Sequence, residues 1–301
     1  MNNIINKIIA HCVPILPKPI IKKVAMQYVA GEDSKDALSV IKKINNNGFS
    51  TTLDILGEHT MEILACDSIS NEYINLLNQI DENKLDCNLS IKPTHIGLNI
   101  NKKILQNNFS KILKVAQKQN NFIRIDMENS STTTETIALY KHLKNSFTNV
   151  GIVFQAYLFR TEDDLNSYIN NKGSNIRLCK GIYNEDRKIS FKGYEEINEN
   201  YLKLLKIAFE NKIYVGIATH DFKLLEGAYK LIKELNVSKH MFEFQVLYGV
   251  PMSYWFTLHK KNNYKVRIYV PYGKEWYDYS IRRLKENPNI AGYILKNIFK
   301  N

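Results

Sequence analysis

Eight short stretches rich in β-branched and aromatic residues recur along the chain, with helical patterns filling the gaps between them. The stretches are STTLDIL (50–56), CNLSIKP (87–93), FIRIDME (122–128), GIVFQAYL (151–158), NIRLCKG (175–181), YVGIATHD (214–221), MFEFQVL (241–247) and KVRIYVP (265–271). Between them, TETIALYKHLKNSF sets Ile137, Leu139, Tyr140, Leu143 and Phe147 near helical spacing. EDDLNSYINNKG opens with acids and closes on Gly173, as helix ends prefer. INENYLKLLKIAFENK and FKLLEGAYKLIKELN carry the same pattern. This alternation over 301 residues predicts an α/β fold, a (β/α)8 TIM-like barrel. A doubly wound open sheet is the alternative, and the lack of a G-x-G-x-x-G after any strand counts against it. No Pro-, Gly- or Ser-rich linker interrupts the chain. Residues 1–301 are therefore expected to form a single barrel domain, with residues 1–48 as N-terminal helices packed on it.

Charge narrows the partners. The net charge of +11 suits an anionic ligand, a phosphate-bearing cofactor or a membrane surface. The basic residues form no long block and no arginine-rich arm, so nucleic-acid binding is not expected. Cys12, Cys66, Cys87 and Cys179 make no C-x-x-C pair, and no secretory signal is evident, which favours a reduced cytoplasmic setting. The N-terminal MNNIINKIIAHCVPILPKPIIKK is apolar in places, but Lys7, His11, Pro14 and Pro17 interrupt it short of a transmembrane length.

In a barrel of this type the active site gathers at the C-terminal ends of the strands. Asp54, Lys92, Asp126 with Glu128, Gln155, Arg177 with Lys180, His220 with Asp221, Gln245 and Tyr269 close the eight runs, so a polar group stands at nearly every one. Arg177 lies among apolar neighbours and needs a carboxylate, Asp126 or Asp54, or a negative ligand, because a lone buried charge is too costly. Lys92 suits a Schiff base, a general base or a structural ion pair. His220 reads equally as a hydrogen-bonded core histidine. No H-x-H or H-E-x-x-H spacing points to a metal, and no G-x-S-x-G elbow points to a serine nucleophile. Arg282 and Arg283 follow Trp276, Tyr277 and Tyr279 on the helix behind the eighth strand. They fit either a solvated face, with Glu286 pairing to Arg282, or a clamp on one anion.

The runs also resemble a family. YVAGE (28–32), LDILGE (53–58), SIKPTHIGL (90–98), IRIDMEN (123–129), FQAYLFRTEDDL (154–165), RLCKGIY (177–183), IATHD (217–221), FEFQVLYGV (242–250), RIYVPYG (267–273) and RRLKENPN (282–289) follow the order seen in proline dehydrogenases. The likeness is to the monofunctional bacterial form and to the proline dehydrogenase domain of proline-utilisation A proteins. It implies an FAD-containing barrel that oxidises L-proline to 1-pyrroline-5-carboxylate by hydride transfer to flavin N5, the first step of proline catabolism to glutamate. It also implies a membrane quinone as acceptor and a peripheral place at the inner face of the membrane. By position it assigns catalysis to Asp126 and Arg177. Substrate binding falls to Lys92, Tyr269, Arg282 and Arg283, and cofactor contacts to Met127, Gln155, Lys180, Gly181, Ile182, Thr219 and His220. Asp221 departs from the asparagine often found there, and Tyr194 from a frequent lysine. Two readings stand beside this one: a Schiff-base aldolase using Lys92 or Lys180, and a basic barrel that binds nucleic acid or lipid without catalysis.

Overall fold

The computed structural model of the chain describes residues 18–167 and 173–286, with the side chains at 20, 24 and 282–286 left aside. Two helices lead in, α1 (Lys18–Ala25) and α2 (Ser34–Asn46). Eight strands then alternate with helices: β1 (Ser50–Ile55), α3 (Ile63–Glu82), β2 (Cys87–Ile91), α4 (Lys102–Lys118), β3 (Ile123–Ile125), α5 (Thr133–Lys144), β4 (Val150–Gln155) and α6 (Thr161–Asn166). The second half holds β5 (Asn175–Cys179), α7 (Tyr194–Glu210), β6 (Tyr214–Ala218), α8 (Phe222–Glu234), β7 (Phe242–Leu247), α9 (Ser253–Lys261), β8 (Val266–Tyr272) and α10 (Trp276–Glu286). Every neighbouring pair is parallel, and β8 returns to β1 with Ser50 opposite Arg267, closing the barrel. The predicted (β/α)8 architecture is the observed one.

Several strands end sooner than the apolar runs. The third run spans seven residues in the sequence, yet β3 holds three, Ile123–Ile125. Lys92, Asp126, Glu128, Lys180, His220 and Asp221 therefore sit in the loops just past the strands rather than on them.

Parallel strands buried on both faces usually read as continuous apolar runs. Here they alternate. Leu53, Leu89, Ile91, Ile123, Ile125, Ile176, Leu178, Phe242 and Phe244 join one apolar core. Their neighbours in sequence, Asp54, Ser90, Arg124, Arg177, Glu243 and Gln245, are buried too and are polar. Since successive side chains point to opposite faces, one face packs on the helices and the other fills the barrel with polar groups. Arg124 shows what that demands. Its Nη1 donates to the Ile152 and Asn175 carbonyls, at 3.1 and 2.9 Å, and its Nη2 donates to the Asn175 side chain. Burial, with Arg177 nearby, pushes its guanidinium down to about 9.

A smaller apolar cluster fixes the last helix over the mouth. Ile21, Ala25 and Val29 of the N-terminal segment pack with Leu56, which follows β1, and with Trp276 and Tyr279 of α10. Lys18 and Lys22 lie over the Tyr277 and Trp276 rings at 5.4 and 5.9 Å. Of the segment 1–48, for which N-terminal helices are expected, α1 and α2 fall among the described residues, and residues 1–17 lie outside them.

Candidate active site at the mouth of the barrel

Two buried ion pairs stand at the C-terminal end of the barrel. Lys92 Nζ donates to both oxygens of Asp54 at 2.7 Å. Arg177 Nη1 donates to Asp126 Oδ1 at 2.7 Å and to the Ser90 hydroxyl at 3.1 Å. Ser90 in turn donates to the same Asp126 oxygen at 2.5 Å, and the Tyr269 hydroxyl donates to Oδ2 at 3.0 Å. The Arg177 guanidinium lies 5.1 Å from the centre of the Tyr269 ring. Asp126 and Arg177 are 8% and 6% exposed, so little water screens the pair.

Burial dominates the proton equilibria. It pushes the Asp54 carboxyl up to about 6, against the pull of Lys92. It pushes the Lys92 ammonium down, but Asp54 and then Asp126 outweigh it, and the Lys92 pKa is raised. Lys92 therefore stays a cation at neutral pH, which does not suit an amine nucleophile.

Farther round the rim the arrangement is looser. Gln155 closes β4, is 2% exposed, and its Oε1 has no hydrogen-bond partner. Buried amide oxygens are rarely left so, and a ligand N–H is the natural partner. Gly181 follows β5 at φ +107°, where a Cβ would lie 2.0 Å from the Tyr157 ring. Only glycine fits there, and its backbone stands at the surface of the mouth. Lys180 pairs with Asp221 at 2.5 Å, and its Nζ lies 4.4 Å from the centre of the half-exposed Tyr194 ring. Burial raises the Asp221 carboxyl, but bonds from Lys180 and Tyr194 outweigh it, and its pKa is lowered. Asp221 also caps α8, accepting from Lys223 N at 3.0 Å. An amide oxygen with no partner, a cation, a glycine turn and an exposed aromatic ring on one arc fit a large ligand with a polar-edged ring and an anionic tail.

The remaining expected site residues fall as follows. Asp126, rather than Asp54, is the carboxylate that meets Arg177. Thr219 is buried, and its hydroxyl accepts from Asp221 N at 3.1 Å. His220 Nε2 accepts from Leu247 N at 2.9 Å, so that nitrogen ties β6 to β7. Met127 packs in the apolar core, and Ile182 is 43% exposed. Glu128 accepts from Thr94 N at 2.9 Å and so holds the 3-10 turn that follows Lys92. The backbones of Arg282 and Arg283 belong to α10, and their side chains lie outside the described residues. Gln245 is not a rim residue: its Oε1 accepts from Arg177 Nε at 2.5 Å inside the barrel. Ser90, Glu243 and Arg267 were not legible as site residues from strand ends, although their alternation with apolar neighbours marks them as facing inward.

The family model for proline dehydrogenase matches residues 37–294. Proline dehydrogenase 2 of Bacillus subtilis (strain 168) is 33% identical over 276 residues, covering 92% of this chain and 90% of that protein. The proline dehydrogenase of Deinococcus radiodurans is 28% identical over 281 residues, again 92% and 90% of the two. Among solved structures, proline utilization A from Bdellovibrio bacteriovorus inactivated by N-propargylglycine superposes with a TM-score of 0.82 at 26% identity. The match covers 92% of this chain and 34% of that longer one. Proline utilization A from Corynebacterium freiburgense, at 21% identity and a TM-score of 0.77, shares the fold.

Proposed function

The chain belongs to the proline dehydrogenase family and is an enzyme of proline oxidation, and from that premise we propose the finer course of its reaction. L-Proline is oxidised to 1-pyrroline-5-carboxylate with a bound FAD as hydride acceptor and a membrane quinone as the final acceptor. The observation that carries this reading is the buried Arg177–Asp126 pair under the Tyr269 ring, facing an arc that holds an amide oxygen with no partner.

FAD, when bound, supplies the site that accepts a hydride from C5 of proline. Gln155, Lys180, Gly181, Ile182, Thr219 and His220 would hold it, with Met127 supporting from the core. Lys92, kept charged by Asp54, meets the substrate carboxylate from one side. Arg282 and Arg283 meet it from α10, where a planar fork binds a carboxylate through two bonds. Tyr269 walls the ring of the substrate while its hydroxyl stays on Asp126. Arg177, held by Asp126 and Ser90, places a fixed cation where negative charge gathers during transfer. A dry site and a neutral amine favour loss of the hydride. The whole chain acts as one barrel domain in this reading.

Quinone reduction belongs at a membrane surface. Among the described residues no helix is long and apolar enough to cross a membrane, and the basic chain makes peripheral contact with the inner face, working from the cytoplasm. The binding test is direct. Purified protein is expected to be yellow, or to gain flavin absorbance when FAD is added. Arg283→Lys is expected to raise KM for proline at least tenfold with flavin retained, since lysine lacks the bidentate fork. Colourless protein that takes up no FAD would sink this reading, and borohydride trapping of a carbonyl substrate on Lys92 or Lys180 would put the aldolase in its place.

A further inference from the structure

A line of buried polar groups runs from the floor of the barrel to Arg177. Arg267 donates from Nε to Glu243 Oε1 at 2.7 Å and from Nη1 to the Thr51 carbonyl at 2.6 Å. Gln245 donates from Nε2 to the same Glu243 oxygen at 2.7 Å. The Gln245 Oε1 then accepts from Arg177 Nε at 2.5 Å, and Arg177 continues to Asp126 and Ser90. Glu243, Gln245 and Arg267 are 2%, 5% and 7% exposed, so each needs its partners.

The direction of the Gln245 amide follows from its neighbours. Burial raises the Glu243 carboxyl, but Arg267 outweighs it and holds the group down to about 2, so Glu243 is a carboxylate that only accepts. The amide nitrogen must therefore face Glu243, which turns the amide oxygen to the Arg177 Nε–H. Pinned at Nε from below and at Nη1 by Asp126, the guanidinium plane is fixed. Among the described residues these bonds use Nε and Nη1, which leaves Nη2 as the end of the fork that meets a ligand.

The sheet makes room for this amide. Gly216 lies in register between Arg177 on β5 and Glu243 on β7. A Cβ there would sit 2.4 Å from Gln245 Nε2. Glycine inside a strand weakens it and marks a close approach, and the group approaching is the amide.

We propose that Gln245 is the positioning residue of Arg177, with Glu243 directing its amide and Gly216 clearing its space. The proposal rests on the reading of Arg177 as the cation beside a bound flavin. In FAD-loaded protein, Gln245→Leu is expected to lower the reduced-to-oxidised ratio of the flavin at a fixed poise about tenfold, or ~30 mV for a two-electron couple. Turnover falls about tenfold while KM for L-proline stays within about twofold. Gly216→Ala displaces the amide without deleting a polar group and shifts both quantities the same way, so it serves if Gln245→Leu does not fold. Wild-type potential and turnover in both variants overturn the proposal. A second arm needs no flavin. The Arg177 Nε–H proton is expected to exchange slowly in 15N-labelled wild type and rapidly in either variant. Unchanged exchange overturns the positioning role, whereas a wild type that binds no flavin removes the functional reading and leaves this arm to decide.

Discussion

The two arcs of the mouth are built differently. On one, Asp54, Asp126 and Arg177 are buried, Lys92 is largely covered, and the two pairs are closed at 2.7 Å before any ligand arrives. On the other, Gln155 keeps an amide oxygen with no partner, and Ile182 and Tyr194 are 43% and 50% exposed. The first arc is preorganised, because each charge already has the partner that offsets its desolvation. The second is completed by what it binds. Polar deletions on the paired arc should therefore cost both fold and chemistry, and deletions on the open arc should cost binding alone.

The largest expected effect is on the paired arc. Asp126→Ala removes the partner of a buried guanidinium. Proline turnover should fall about 10²–10³-fold, and unfolding free energy by about 3 kcal/mol, with FAD still bound. Steady-state kinetics, flavin absorbance and urea unfolding on the same preparation check it, and wild-type turnover removes Asp126 from the catalytic set.

Next comes Lys92→Met, which strands Asp54 at 1% exposure. About 3 kcal/mol of stability should be lost at pH 7, less at pH 5, where Asp54 takes up its proton; calorimetry at the two pH values reads it. Equal losses at both would mean that the pair is not held by charge.

Acid sensitivity should come from a histidine in the turn that follows Lys92. His95 lies behind Lys92, and burial, followed by the Lys92 charge, pushes it from 6.5 down to about 3. The unfolded chain therefore takes the proton first. The stability of neutral His95 is full above pH 6.5 and drains as pH falls toward 3, at about 1.4 kcal/mol per unit. Urea unfolding at pH 7 and 5.5 should show a smaller pH loss in His95→Gln than in wild type by that slope, and equal slopes would count against a buried neutral imidazole.

The smallest effect sharpens the open arc. Gln155→Leu deletes an amide whose oxygen has no partner, so the flavin-free protein should be as stable or up to about 1 kcal/mol more stable. FAD should bind about tenfold more weakly, ~1.4 kcal/mol. A destabilised flavin-free variant would show that Gln155 serves the fold instead.

Strand number and order were legible because apolar runs and helical patterns alternate without interruption. The partner of Arg177 was only half legible. Sequence leaves Asp54 and Asp126 equal, and the choice is made by register: Asp54 lies opposite Ser90 in β1–β2, where Lys92 in the following loop reaches it. The buried relay escaped because Glu243 and Arg267 lie within strands rather than at their ends, and because Gln245, read as closing its run, faces Arg177 inside the barrel instead. Period-two alternation in FEFQVL and VRIYV marks them as inward, but nothing in the sequence says that Gly216 opens the space one of them fills.

Anaerobic titration of the FAD-loaded protein with L-proline tests the joint working of the two arcs most directly. The account predicts that the oxidised flavin bleaches promptly in wild type and about 10²–10³-fold more slowly in Asp126→Ala with the same flavin content. Wild-type protein that holds FAD and is not bleached by proline, or an Asp126→Ala variant bleached as fast as wild type, would contradict it.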